Sequence, residues 1–289
     1  MGNPGDVTNF SGGVAVITGA GSGIGAALAR HAATLGMQTI IADISAENAN
    51  AVTEEIQQAG GTAEAYVVDV TIPEEVENMA EAVFTKYGGV TLLINNAGIE
   101  VLGQVWEVSP AQWQKVFAVN VLGVVNSLRA FVPRMLKSGK ESWLSNVASQ
   151  IAVGHLPGQG AYSASKHAVQ NITETLFLEL DLLHAPIHVS TVIPGMVQTS
   201  IFKAALDGGD GSVSSRFRHS LAGFISAHGQ DANESAKRIL RSIAANEFWI
   251  ATHPEHADEF LTERADFLKE KRNPAISEQS KALWQACLR

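Results

Sequence analysis

Seven short runs of apolar and β-branched residues punctuate this chain, and stretches of helical length lie between them. The runs are 14–18, 38–43, 65–70, 91–95, 143–149, 188–193 and 247–252. Antiparallel strands can be joined by a two-residue turn, whereas parallel strands need a long crossover, usually a helix. Alternation of this kind therefore points to an α/β chain, doubly wound, with a parallel sheet between two layers of helices. The near-continuous apolar character of the runs agrees, because parallel strands are buried on both faces.

Two of the intervening helices can be checked by spacing. Phe117, Val121, Val124, Leu128, Phe131 and Met135 recur at steps of 4, 3, 4, 3 and 4, and Val169, Ile172, Leu176, Leu180 and Leu183 at 3, 4, 4 and 3. Both are stripes expected to face a core. Asn120 falls beside the first, where an apolar residue would be expected. Residues 200–232 break the alternation: a Gly-rich segment, 207–212, is flanked by Ile201, Phe202 and Leu206 and reads as a substrate loop over the site. No linker or repeat divides residues 1–289, so one domain is expected.

Of the 289 residues, 46% are hydrophobic, enough for a large core. The formal charge of −9 repels phosphate backbones and argues against a nucleic-acid partner. The single cysteine, Cys287, excludes an internal disulfide. Residues 1–13 lack the pattern of a signal peptide, Gly2 is followed by Asp6 where myristoylation wants a hydroxyl, and no uninterrupted apolar run is long enough to span a bilayer. A cytoplasmic protein with no membrane partner is expected. His253 and His256 lie three apart with no third ligand in view, so no metal site is expected.

Ligands of open parallel sheets bind outside the carboxyl ends of the strands. Every such end here carries small or polar residues: Thr18-Gly19-Ala20-Gly21-Ser22-Gly23-Ile24-Gly25, then Asp43, Asp69-Val70, Asn95-Asn96-Ala97-Gly98, Ser149 and Pro194-Gly195. The glycine run follows the first strand and opens a helix. Glycines there let the backbone approach a pyrophosphate, and the helix N-terminus stabilises the anion. Asp43 follows Gly23 by 20 residues at the end of the next strand. A carboxylate there accepts hydrogen bonds from the ribose hydroxyls and repels a 2′-phosphate, and no Lys or Arg stands ready to clamp one. NAD is expected rather than NADP.

Tyr162 and Lys166 are four apart and share one face of a helix. A cation beside a phenol favours the phenolate and brings its pKa toward neutrality, which suits a general acid/base for an alcohol proton. Ser149, 13 residues earlier at a strand end, could orient the substrate oxygen.

Together these pieces resemble the short-chain dehydrogenases/reductases of the non-extended kind. The matching set is Thr18-Gly19-x-x-x-Gly23-Ile24-Gly25, Asp69-Val70, Asn95-Asn96-Ala97-Gly98, Asn120, Ser149, Tyr162-x-x-x-Lys166 and Pro194-Gly195, in the family's order and spacing over roughly residues 11–252. The resemblance implies a Rossmann-type three-layer sandwich with a seven-stranded parallel sheet. It implies Tyr162 as acid/base, Lys166 on the nicotinamide ribose, Ser149 on the substrate oxygen, and Asn120 holding a water that completes a proton relay. Thr18, Gly19, Ser22, Gly23, Ile24 and Gly25 would surround the pyrophosphate. Asp69 and Val70 would flank the adenine, and Asn96 would lie over the adenosine ribose beside Ala97 and Gly98. Ile193, Pro194 and Gly195 would border the nicotinamide, with Val197 and Thr199 beyond. Homotetramers, paired through the two striped helices, are common in such a family and are expected here.

The sequence departs from the family in two places. The strand before Ser149 reads Glu141-Ser142-Trp143-Leu144-Ser145-Asn146, unusually polar and bulky, and residues 253–289 form a C-terminal extension expected to cover the substrate mouth or a neighbouring subunit. Candidate substrate contacts are Gln150, Ile151, His155, Met196 and Phe202, joined by Glu100, Leu156 and Ile201, a mainly apolar set that suits a hydrophobic or aromatic secondary alcohol or ketone. The function expected is an NAD(H)-dependent oxidoreductase acting on CH–OH groups. The alternatives are an NADP-dependent carbonyl reductase of the same fold and a non-catalytic dinucleotide-binding regulator, though a pure binder needs no proton relay.

Overall fold

The computed structural model describes residues 7–199, 201, 213–275 and 281. Phe202, Cys287, Gly2 and the Gly-rich segment 207–212 lie outside the described residues. Seven strands form one parallel sheet: β1 Val14–Thr18, β2 Gln38–Asp43, β3 Thr62–Val67, β4 Leu92–Asn95, β5 Ser142–Val147, β6 Ile187–Ile193 and β7 Trp249–Ala251, in the order β3-β2-β1-β4-β5-β6-β7. The helices between them are α1 Gly23–Thr34, α2 Ala46–Gln58, α3 Pro73–Tyr87, α4 Pro110–Phe117, α5 Gly123–Ser138, α6 Gly160–Leu182, α7 Val213–His228, α8 Ala232–Ala244 and α9 Pro254–Glu270.

Successive residues of a strand face opposite sides, and the core divides accordingly. Ile17, Ile41, Leu92 and Ile94 pack with Leu28 of α1, Val52 of α2 and Ile239 of α8 on one side. Val16, Ile40, Leu93 and Leu144 pack with Met79 of α3, Phe131 of α5 and Leu176 of α6 on the other. From β1 the chain moves outward through β2 and β3, then returns to place β4 on the opposite side of β1. The connections leaving β1 and β4 diverge, which opens a crevice at their carboxyl ends.

Several elements differ from the sequence expectation. β3 spans 62–67 rather than 65–70, because Thr62–Glu64 already pair with Gln38–Ile40 while Asp69 and Val70 belong to the following loop. The stretch 200–232 is no simple loop: from Val213 it forms the 16-residue α7, whose Phe217, Leu221 and Ile225 pack on Leu102. Leu183 does not continue the stripe of α6; it caps the helix and is 65% exposed. Between α4 and α5 the helix takes a π turn, Ala118–Leu122. The extra residue per turn puts Asn120 fully inside and turns Leu122 outward. By length and apolar composition the continuous helix Pro110–Ser138 could cross a membrane, but half of that window is buried here, as in a core helix.

The polar strand β5 is regular and completely buried. Two of its polar side chains find partners, while the Ser142 hydroxyl is buried without one: Ser145 Oγ meets Ser190 Oγ at 2.6 Å, Asn146 Oδ1 accepts from Asn95 Nδ2 at 2.8 Å, and Asn146 Nδ2 donates to Thr173 Oγ1 at 3.0 Å. Trp143 stacks on His188, meets Phe10 edge-on and donates its Nε1–H to Asn246 Oδ1 at 2.8 Å. Pairing of this kind is what makes buried polar groups tolerable.

Candidate active site

The crevice is a cleft of about 1100 Å³. A site for one small ligand is typically about 300–1,000 Å³, so this one has room for a large ligand with a second beside it.

One half is built from the Gly-rich turn. Ser22 stands at the N-cap of α1 without a capping side-chain bond, so the first N–H groups of that helix are left for a ligand. Glycine is required where the walls close in. A Cβ on Gly19, whose φ is +62°, would lie 2.8 Å from Ala97 Cα, and one on Gly25 would lie 2.2 Å from the Gly19 carbonyl oxygen. Thr18 Oγ1 accepts from the Asn96 and Ala97 N–H groups at 3.0 and 3.1 Å, and Asn96 Nδ2 donates to the Thr18 and Gly19 carbonyls at 2.9 and 3.1 Å. The ends of β1 and β4 are thus tied together.

Asp43 is held at the tip of β2. Its Oδ2 accepts from Gly21 N–H at 2.8 Å and its Oδ1 from Ser45 N–H at 2.9 Å. A Cβ on Gly21 would lie 2.8 Å from that same Oδ2. The next helix is capped by Ser45, whose Oγ accepts from Asn48 N–H, which leaves the Asp43 carboxylate facing the cleft. Asp69 Oδ1 accepts from Thr71 N–H and Oγ1–H, and the Val70 carbonyl accepts from Asn126 Nδ2.

The other half gathers Ser149, Tyr162 and Lys166. Ser149 ends the β5 segment, accepts from Ile151 N–H at 3.3 Å and hydrogen-bonds the Tyr162 hydroxyl. Lys166 donates to the Val147 carbonyl at 2.8 Å and lies 5.7 Å from the centre of the Tyr162 ring. The lowering of Tyr162 by Lys166, expected from their spacing, is not what the chain alone produces. Burial pushes the phenol above its ordinary range, the charge of Glu100 adds to the rise, and only the Ser149 bond opposes it. Burial likewise brings Lys166 down to about 8, against a partial rise from Glu100.

Asn120 does not line the cleft. It is fully buried, its Oδ1 accepts from Ile99 N–H at 2.8 Å, and its Nδ2 donates to Ile99 O and Ser165 Oγ at 3.0 and 2.9 Å. A Cβ on Gly98 would lie 3.4 Å from both Asn120 Oδ1 and Lys166 Nζ, so the two groups flank that glycine.

Of the remaining expected ligand contacts, Gly19, Ser22, Gly23, Ile24, Asp69, Val70, Asn96, Ala97, Gly98, Pro194, Gly195, Val197 and Thr199 line the cleft. Gly25 and Thr18 lie behind it as supports. Gly195 N–H donates to Thr252 Oγ1 at 2.9 Å, and a Cβ there would strike His253 and Gln150. Gln150, Ile151, His155 and Met196 line the cleft, as do Glu100, Leu156 and Ile201.

Sequence reasoning missed the aromatic walls. Phe224 of α7 and Phe260 and Phe267 of α9 line the cleft. The extension is anchored by Ala257, buried against Ala148 and Val169, by Phe260 against Gly154, and by the Phe267 ring 6.1 Å from that of His155. The missed signal is a stripe in the sequence: His256, Phe260, Glu263 and Phe267 recur at steps of 4, 3 and 4.

A strand, a Gly-rich turn opening a helix, and a Ser-Tyr-Lys set on one cleft agree with a wider comparison. The family model for short chain dehydrogenases matches residues 13–208. The chain belongs to this family. It is 37% identical over 241 residues to a 1-deoxy-11-beta-hydroxypentalenate dehydrogenase of Streptomyces exfoliatus, covering 78% of this chain and 85% of that one. Among solved structures it is similar to a short-chain dehydrogenase/reductase of Burkholderia phymatum in complex with NAD, with a TM-score of 0.87 and 32% identity, covering 93% of this chain and 98% of that one. A metagenomic short-chain oxidoreductase in complex with NADP is 34% identical with a TM-score of 0.61, covering 66% of this chain and 85% of that one. The fold is that of the short-chain dehydrogenases, and the chain is an oxidoreductase of that family.

Proposed function

We propose that this protein is an NAD(H)-dependent dehydrogenase that interconverts a secondary alcohol and its ketone. The observation that carries the reading is the convergence of Ser149, Tyr162 and Lys166 on the cleft that also holds the Gly-rich turn and Asp43. The residues fit a nicotinamide dinucleotide: the glycine cradle would be filled by any Cβ, and the uncapped start of α1 offers N–H groups to a pyrophosphate. Asp43 supports NAD over NADP, because its carboxylate is pinned where a 2′-phosphate would have to sit. Bound there, the nicotinamide supplies the carbon that exchanges hydride and, when oxidised, a positive charge.

The chain supplies position and the proton. Ser149 and Tyr162 hold the substrate oxygen between two hydroxyls. In the direction of reduction, Tyr162 delivers its proton to that oxygen as the carbonyl becomes an alcohol, and burial of the phenol keeps this proton in place beforehand. In oxidation Tyr162 takes the alcohol proton, which requires added positive charge nearby to bring the phenol down. Lys166 hands the proton on toward solvent through the water that Asn120 would hold, and Asn120 fixes the backbone of Ile99 beside it. The apolar and aromatic side chains of α7 and α9 support a hydrophobic or aromatic substrate. Exposed Phe177, Leu178 and Leu182 on α6 support pairing of copies into a homo-oligomer.

The test is nicotinamide absorbance against a broad panel of secondary alcohols and ketones with both cofactors. Turnover with NAD(H) supports the reading. Turnover with NADP(H) alone would sink the cofactor assignment, and tight NADH binding without turnover of any compound would favour a dinucleotide-binding regulator.

A further inference from the structure

The segment that follows β6 runs along the cleft, which Pro194, Gly195, Met196, Val197 and Thr199 line. At one end the Pro194 carbonyl accepts from the N–H of Gln150, next in the chain to Ser149, at 3.0 Å. At the other end Thr199 reaches the Gly-rich turn, where a Cβ on Gly23 would lie 3.3 Å from Thr199 Cγ2. A dinucleotide whose pyrophosphate meets the start of α1, and whose reacting carbon faces the oxygen held by Ser149 and Tyr162, has to pass along this segment. Its nicotinamide then ends beside the Pro194–Gly195 peptide.

That peptide is gripped at both polar atoms. Its carbonyl is held by Gln150, and its N–H, on Gly195, donates to Thr252 Oγ1 at 2.9 Å. Thr252 directly follows β7 and is 2% exposed. Its hydroxyl has one proton to give, and the acceptor beside it is His253 Nδ1 at 2.8 Å, so the neutral ring carries its proton on Nε2. Burial, His256 on α9 and Arg238 on α8 all hold His253 below its ordinary range, which keeps Nδ1 an acceptor. Giving its proton to the ring makes the Thr252 oxygen a better acceptor for Gly195. The ring is also packed on the turn: a Cβ on Gly195 would lie 2.6 Å from His253 Nδ1 and 2.8 Å from Gln150 Oε1. His253 is the N-cap of α9, and its carbonyl accepts from Ala257 N–H at 3.0 Å. The chain of bonds thus runs from the turn into the helix that carries Phe260 and Phe267.

We propose that Thr252, itself held by His253, is a positioning residue for the nicotinamide: it fixes the plane of the Pro194–Gly195 peptide against which that ring lies. Thr252 acts through Gly195. The proposal rests on the reading of the cleft as a nicotinamide dinucleotide site.

The experiment uses the full chain and two probes titrated by calorimetry, NADH and ADP-ribose, the second being the same molecule without its nicotinamide ring. Thr252→Val keeps the shape of the side chain and loses the hydroxyl, which leaves the Gly195 N–H unpaired. A peptide free to turn has to be ordered on binding, so NADH is expected to bind about fivefold or more weakly, which corresponds to one hydrogen bond, while ADP-ribose affinity stays within about twofold. Thr252→Ser, which keeps the hydroxyl, restores NADH affinity. His253→Leu is expected to weaken NADH less than Thr252→Val does, again sparing ADP-ribose, and His253→Asn, whose amide oxygen can stand in for Nδ1, recovers it. This second pair carries the test if Thr252→Val does not fold. Equal weakening of both probes, or NADH affinity unchanged in Thr252→Val and His253→Leu, overturns the proposal and leaves the dinucleotide reading standing. If the wild type prefers NADPH, the same comparison is made with NADPH and 2′-phospho-ADP-ribose, and the same outcomes decide it. A wild type that binds neither dinucleotide refutes the reading and the proposal together.

Discussion

Replacing Asp43 with alanine tests the cofactor assignment quantitatively. The carboxylate is fixed from behind by Gly21 and Ser45 N–H groups at 2.8 and 2.9 Å, so its remaining lone pairs are aimed rather than mobile. Two ribose hydroxyls donating to it make two charge-assisted bonds, each worth about 1.5–3 kcal/mol. The tip of β2 is half-exposed, so the lower figure applies, and two bonds amount to about 3 kcal/mol, or roughly 150-fold in affinity. The same carboxylate opposes a 2′-phosphate, and removing one unit charge about 4 Å away relieves up to about 4 kcal/mol at an effective dielectric of about 20. For Asp43→Ala, kcat/KM with NAD should therefore fall by about 100-fold while that with NADP holds or rises, with Asp43→Asn in between. Steady-state nicotinamide absorbance gives both values, and NADH fluorescence titration gives the affinity independently of turnover. A loss with NAD under about threefold, less than a single hydrogen bond to a carboxylate supplies, would refute the reasoning, as would a wild type that prefers NADP.

Three other perturbations follow from the same geometry. Lys166 is buried with its pKa brought down to about 8, so folding strips its proton between pH 8 and the ordinary lysine value of 10.5. Its burial therefore costs about 3 kcal/mol below pH 8, and that cost is relieved as pH rises toward 10.5. Lys166→Met should then exceed wild type in urea midpoint at pH 7 by a margin that shrinks by pH 10; a constant margin would contradict the shift. Gly154→Val should displace Phe260, whose ring lies 3.0 Å from the new Cβ, and loosen α9 over the cleft. KM for an aromatic substrate should rise several-fold with NADH affinity unchanged, and equal losses in both would argue against α9 as a substrate wall. Gly25→Ala forces a Cβ to within 2.2 Å of a backbone carbonyl, an overpacking cost of about 1–3 kcal/mol or more, visible as a lower melting temperature and weaker NADH binding. Unchanged stability and binding there would mean the turn is looser than its geometry implies.

Much of the fold and most of the cleft can be read from the chain itself, for identifiable reasons. Strands buried on both faces announce themselves as apolar runs, and the residues at their ends form one surface in any parallel sheet. That is why Asp43, Asn96, Ser149 and Pro194, far apart in sequence, can be grouped from sequence alone. β3 is displaced from its apolar run because it is an edge strand. Its leading residues, Thr62 and Glu64, face solvent or bond to Lys86 and Tyr87, and so do not look like a core run. α7 is hidden by the glycines that precede it, although Phe217, Leu221 and Ile225 repeat at steps of four. The π turn at Asn120 leaves no periodic signature over five residues. Tyr162 shows a deeper limit. Spacing can place a cation four residues away, but burial and the distant carboxyl of Glu100, which together dominate the phenol, are properties of the assembled site.

The central claim is that Tyr162 moves the proton in a nicotinamide-dependent reaction. The direct measurement is kcat/KM of wild type and Tyr162→Phe on the best substrate with NAD(H), alongside NADH affinity for each. Loss of turnover by about 10³-fold or more, with NADH affinity kept, is the expected result for removal of a general acid/base. Turnover that survives the substitution, or that disappears only because NADH no longer binds, would contradict it.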